Sequence, residues 1–178
     1  MNLYEQFSEK ELEILEARAR QIAKTSGDHR DGEIITVLSI GIGEEKYGLP
    51  VEALTVVQEG IPVIPVPCVP LFVAGIANIR GHIIPVIDLA VLLNVSGSNV
   101  SESSSLIVAT NDQINVALCV DTVGEVMSLW GDDLFSTSSF SDTSQNPYLK
   151  SMDADGMGIL DIETILNDPA LVIAEVIS

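Results

Sequence analysis

Asp88 and Asp161 stand at matching places in two similar stretches of this chain. Two aspartates in one site can share a proton and activate water, provided that turns present both carboxylates. The Asp-Thr-Gly turn of such sites is absent: Asp121-Thr122 starts one and Val123 breaks it. Asp88 instead precedes Leu89, Leu92 and Leu93 at helical spacing, which is the pattern of an N-cap, and Asp161 is read the same way. Neither His29 nor His82 has a cysteine nearby, and Cys68 and Cys119 lack metal-ligand spacing. Asp153-Ala154-Asp155-Gly156 puts its glycine too early for a calcium loop, and no bidentate glutamate closes it. No Gly-rich loop ends in Lys-Ser or Lys-Thr. Catalytic residues, metal ligands and cofactors are therefore all assigned as none.

One side chain stands out from this background. Between Ile34 and Ser178 the only basic residues are Lys46, Arg80 and Lys150. Arg80-Gly81 is a turn signal between the strand-like residues 76–79 and the β-branched run 83–87, and Asp88 caps the helical turn beyond that run. Two roles suit such an arginine. A structural arginine satisfies nearby carbonyls or carboxylates, because buried charge must be paired. A presented arginine anchors a protein partner. The second role expects Arg80→Ala to leave the melting temperature nearly unchanged, and the first does not.

The elements that must position this unit are aliphatic. The chain is 47% hydrophobic but only 4% aromatic, and 178 residues suffice for one sizeable domain or two small ones sharing a core. Its net charge is −18, and beyond Ile34 three basic residues face eighteen acids. Such a surface repels nucleic acid and anionic membranes, so neither is expected as a partner. Residues 1–7 carry no signal-peptide pattern, and the apolar region 61–79 is interrupted by Pro62, Pro65, Pro67 and Pro70. A reduced, cytoplasmic protein is expected.

Ser8 and Glu11 form a capping box that opens a helix to about Lys24, with Leu12, Leu15, Ala19 and Ile22 on its apolar face and a Glu16–Arg20 pair elsewhere. This stripe is expected to pack on its own domain. Residues 25–32 read as a polar linker, so the chain divides into a helix and linker at 1–33 and a β domain at 34–178. From Ile34 the period becomes two. Strands are predicted at 34–42 and 47–50, a helical turn at 51–54, and an extended piece from Val56 to Gly60. The prolines then force a path without interior sheet bonding. Strands at 106–110 and 114–120 flank a hairpin, and 121–126 continues the sheet with a bend. No regular element is predicted between Trp130 and Tyr148. A short strand at 157–160, a helical turn at 161–166 and a last strand at 170–177 complete the chain.

An internal echo links the two halves. Residues 86–94, VIDLAVLLN, match residues 159–167, ILDIETILN, in two aliphatics, an aspartate, an aliphatic, two variable residues, two aliphatics and an asparagine. Two copies of a strand running into a capped turn predict two similar β subdomains around one core.

Tyr47-Gly48-Leu49, the Val56-Val57-Gln58-Glu59 stretch, Pro65-Val66-Pro67, the motif Gly75-Ile76-Ala77-Asn78-Ile79-Arg80-Gly81, Pro85-Val86-Ile87-Asp88-Leu89 and Val120-Asp121-Thr122-Val123-Gly124-Glu125-Val126 occur in that order. From about Ile34 onward this set resembles the CheW family of chemotaxis coupling proteins. The resemblance implies a mainly all-β fold of two interlocked, five-stranded SH3-like barrels. It also implies a non-enzymatic adaptor joining a CheA-type histidine kinase to a chemoreceptor's cytoplasmic tip. Val57, Asn78, Arg80 and Gly81 then fall on the receptor or array side, and Glu59, Gly60 and Ala74 on the kinase side. Gly60, Ala74 and Ala90 depart from the family pattern, since an aliphatic, a lysine and a basic residue are usual there. Each departure removes reach or positive charge from the expected contact face. The rival class is a small-molecule-binding β-barrel regulator, although the interior of so small a barrel is expected to be filled by side chains.

Overall fold

The computed structural model describes residues 8–23, 32–97, 99–137 and 146–171, with the side chains of 21–23 excepted. The predicted helix end at Lys24, Ile22's side chain, linker residues 25–31 with His29, loop residues 138–145 and the predicted strand at 172–177 lie outside the described residues.

Two sheets build the domain. The first takes β1 (Ile34–Ile42), β2 (Glu45–Pro50), β8 (Thr122–Trp130), β9 (Phe135–Ser136), β10 (Leu149–Met152) and β11 (Gly158–Leu160), in the order β8-β1-β2-β11-β10-β9. The second takes β3 (Leu54–Glu59), β4 (Val73–Ile79), β5 (His82–Asp88), β6 (Ser105–Thr110) and β7 (Asn115–Val120), in the order β3-β6-β7-β5-β4. The first sheet thus has six strands where five were expected, because the two residues of β9 pair with Ser151 and Met152 of β10.

Continuous apolar runs in the sequence correspond to strands buried on both faces. In β6, Ile107 joins a core shared by the two sheets, with Leu38, Ile40 and Leu49 of the first and Leu118 of the second. Its neighbours Leu106 and Val108 turn the other way, into a smaller cluster with Ala77, Val86 and Ala117. Val37, Met157 and Ile159 fill the corresponding side of the first sheet.

The echoed segments are structural equivalents. β5 runs into α2 (Leu89–Leu93) and β11 into α3 (Ile162–Leu166). Each of these strands makes its sheet's parallel pairing, β5 with β7 and β11 with β2. Asp88 accepts the Ala90 and Val91 N–H groups, and Asp161 accepts that of Thr164. The asparagines also differ: Asn94 is left-handed at φ 57° and Asn167 is not.

Four stretches differ from the sequence reading. Residues 121–126 do not continue the second sheet; the chain crosses at Asp121 and β8 pairs with β1 of the first sheet. The stretch after Trp130 contains a 3-10 turn at Gly131–Asp133 and strand β9, held by backbone pairing that side-chain periodicity does not encode. β10, unpredicted, pairs with β11 in a hairpin. Residues 170 and 171 are helical, because Asp168 accepts the Ala170 N–H with its side chain and the Leu171 N–H with its carbonyl.

The proline-rich segment lies across β4 through a single bridge, Ile64 to Ile76, with N···O distances of 2.8 and 2.9 Å. Gly75 permits the crossing: at φ 149°, a Cβ there would sit 2.1 Å from the Ile64 carbonyl oxygen.

Candidate functional site: the Val57–Arg80 face and the helix on it

Arg80 and Gly81 form the two-residue loop of the β4–β5 hairpin, with Ile79 opposite His82. Such loops take left-handed conformations that match the twist of the strands, and here φ is 52° at Arg80 and 86° at Gly81. The Asn78 side-chain oxygen accepts the Gly81 N–H at 3.0 Å, which fixes the loop. Asn78, Arg80 and Gly81 therefore form one tip, from which the guanidinium projects.

Val57 reaches the same place from the opposite edge of the sheet. β3 and β4 are its two outermost strands. Val57 lies opposite Ile107 of β6, and its N–H and carbonyl both bond outward, away from that partner.

What meets both groups is helix α1 (Glu9–Ala23). The Ser8 N–H donates to Glu11 Oε2 at 2.7 Å and the Glu11 N–H to Ser8 Oγ at 3.3 Å, a reciprocal capping box. The same two side chains also hold the sheet. Glu11 Oε1 accepts the Val57 N–H at 3.2 Å, and Ser8 Oγ donates to the Val57 carbonyl at 3.4 Å. Arg80 donates from one terminal nitrogen to both Glu11 oxygens, at 2.9 and 2.8 Å. The Glu11 side chain is 1% exposed and that of Arg80 36%. A carboxylate so buried requires a counter-charge and hydrogen bonds, and this one has both.

The inward face of α1 accordingly differs from the predicted stripe. Glu11 and Ile14 are buried and Arg18 is half-buried, whereas Leu15 and Ala19 are exposed. Ile14 joins the core shared by the two sheets. Arg18 Nε donates to the Val51 carbonyl at 2.9 Å, and its terminal nitrogen donates to the Glu52 carbonyl. The helix is turned so that two ionised side chains can satisfy sheet-edge and turn backbone; hydrophobic periodicity alone cannot report this. Sequence reasoning treated Glu11 only as a cap and overlooked Arg18. The signal available was their spacing, since 11, 14 and 18 share one helical face.

The other expected contact residues lie farther along the same strands. Glu59 ends β3, and its carboxylate accepts the Ser105 hydroxyl at 3.5 Å. Gly60 comes next at φ 69°, with open space where a side chain would stand. Ala74 is half-buried against the smaller core, at the irregularity between Val73 and Gly75.

Two open clefts flank these features. One, of about 360 Å³, borders Arg80 and is lined by Thr55, Val56, Ile79, His82 and Ile83. The other, of about 740 Å³, lies on the first sheet beside Glu44, Glu45, Tyr47, Asp153 and Asp155. Burial, then the hydrogen bond to Glu45, raises the Tyr47 phenol above its ordinary value. Burial likewise pushes the Cys119 thiol up to about 11. Tyr148 rises to about 12, through burial and then its bond to Asp168. Among the described residues no group of three or more His, Cys, Asp or Glu could hold a metal ion, and no helix is long and apolar enough to cross a membrane.

The site thus combines a strand edge and an arginine, both engaged by α1, with an open cleft beside them. The CheW-like domain family model matches residues 36–170. A chemotaxis protein CheW from Thermotoga maritima is 34% identical over 134 residues, covering 74% of this chain and 87% of the relative. One from Klebsiella aerogenes is 29% identical over 137 residues, covering 75% and 82%. The crystal structure of the scaffolding protein TtCheW from Thermoanaerobacter tengcongensis superposes with a TM-score of 0.66 at 24% identity, covering 76% of this chain and 94% of that one. The fold is therefore that of the SH3-like, two-subdomain scaffolds. The chain belongs to the CheW family of chemotaxis coupling proteins.

Proposed function

We propose that this protein is a non-catalytic cytoplasmic adaptor that couples a chemoreceptor's cytoplasmic tip to a CheA-type histidine kinase. The observation that carries this reading is the convergence of Arg80 and the outward backbone of Val57 on one face. Arginine beside a shallow apolar cleft suits a helical partner, because the fork anchors a polar group while the cleft takes an aliphatic one. Glu59 and Gly60, farther along β3, offer a separate contact to the kinase's regulatory domain, and the bare Gly60 leaves room for a partner backbone. The excess of acid favours partners with basic contact surfaces and faster association at low salt.

A binding assay with a receptor-tip fragment and, separately, a kinase regulatory domain tests this. Stoichiometric binding of both is expected, with Glu59→Arg weakening the kinase about tenfold and leaving the receptor unchanged. Binding of neither fragment would refute the reading.

A further inference from the structure

On the proposed reading, the face that should take a receptor helix is already covered in this structure by a helix of the same chain. Glu11 occupies Arg80 and the Val57 N–H, and Ser8 occupies the Val57 carbonyl. We propose that the Val57–Arg80 face is a socket for a helix bearing a carboxylate in its first turn. Helix α1 is its resident occupant, and a chemoreceptor helix displaces it. This inference rests on the receptor-coupling reading and adds to it the chemistry of the contact and its regulation.

The occupant is built to be exchangeable. Among the described residues it is attached at three places: Ser8 and Glu11 on Val57 and Arg80 at one end, Ile14 in the middle, and Arg18 on the Val51 and Glu52 carbonyls. Leu15, Glu16, Ala19 and Arg20 face solvent. A helix of 15 residues is marginal in water on its own, so undocking and melting occur together and give two discrete states. The contact is also chemically replaceable. A buried ion pair gains little over its desolvation cost, but losing one partner is costly. An incoming carboxylate that replaces Glu11 leaves Arg80 and the Val57 N–H satisfied; an apolar intruder does not. The docked helix thereby selects for acidic helix ends and lowers apparent receptor affinity by the fraction of time it is seated.

The test uses the full chain and two variants that act at different ends of the helix. Arg18→Ala removes the attachment to Val51 and Glu52 without touching the face. Glu11→Gln weakens the socket contact while leaving Arg80 in place. Hydrogen exchange across residues 9–20 should rise at least tenfold in both, and a receptor-tip fragment should bind both about tenfold more tightly than wild type. A second fragment with its acidic side chains neutralised should lose that gain. Faster exchange with unchanged or weaker receptor binding would overturn the displacement and make α1 part of the binding surface. Exchange unchanged in both variants would overturn the assignment of what holds the helix. Absence of receptor binding by every form, wild type included, would overturn the coupling reading and displacement with it, which distinguishes that failure from the first.

Discussion

The two hairpins that precede the echoed helical turns share a plan but not a tip. β4–β5 leads through Asp88 into α2, and β10–β11 leads through Asp161 into α3. The β10–β11 turn satisfies its own charge: Asp153 accepts the N–H groups of Asp155 and Met157 at 3.0 and 2.8 Å. The β4–β5 turn sends a guanidinium outward to Glu11, 69 residues earlier in the chain. A turn that closes on itself is architecture; one whose charge is met by another element can be met by another molecule. On the proposed reading, the duplicated framework carries one copy that is structural and one that recognises a partner.

The largest effect should come from breaking the recognition tip. Arg80→Glu should place two carboxylates together, release α1 and reduce receptor-tip binding at least tenfold, about 1.4 kcal/mol. Loss of the half-exposed pair should loosen the docked helix, read as faster exchange across residues 9–20. Asp153→Ala in the other turn should leave receptor binding unchanged. Receptor binding that falls equally in both variants would erase the distinction.

The caps should behave alike. Asp88→Ala and Asp161→Ala are each expected to cost about 1 kcal/mol in urea unfolding, with Asp88 the larger because it accepts two N–H groups and Asp161 one. Neither should alter partner affinity by more than about twofold.

Alkali should give the smallest difference. Cys119 in the second sheet and Tyr148 before the first sheet's hairpin both have raised values, about 11 and 12. A folded acid with a raised value holds its proton after the unfolded chain has lost it. Its stabilising contribution is therefore complete below the unfolded value and is lost as pH rises through the folded one. Stability should decline above about pH 9, first through the thiol. At pH 8 the exposed Cys68 should be alkylated at least about tenfold faster than the buried Cys119. Equal rates would show that the second sheet opens readily.

Much of this arrangement is legible in the sequence for a physical reason. The Asp88 and Asp161 caps, the Arg80-Gly81 turn and the capping box at Ser8 are local, so residues within four positions specify them. The docking of α1 is not local. Leu15 and Ala19 satisfy helical periodicity better than Glu11 and Arg18, yet the charged residues face inward because unpaired backbone at Val57, Val51 and Glu52 awaits them. The two roles weighed for Arg80 are also not exclusive. Within this chain it satisfies a carboxylate, so the expectation of an unchanged melting temperature for Arg80→Ala gives way to loosening of α1. β9 and β10 escape for another reason: two and four residues are too short to show a period.

The crossing at Asp121 sets the order in which the molecule can be made. β1 and β2 emerge first, but β8, which must lie beside β1, emerges only after β3 to β7. During synthesis the inserted half has all its strands while the enclosing half is still an open ribbon, waiting for its far end. Ribosome-bound chains in which Val120 has just cleared the exit tunnel should protect β3 to β7 from protease and leave β1 and β2 accessible.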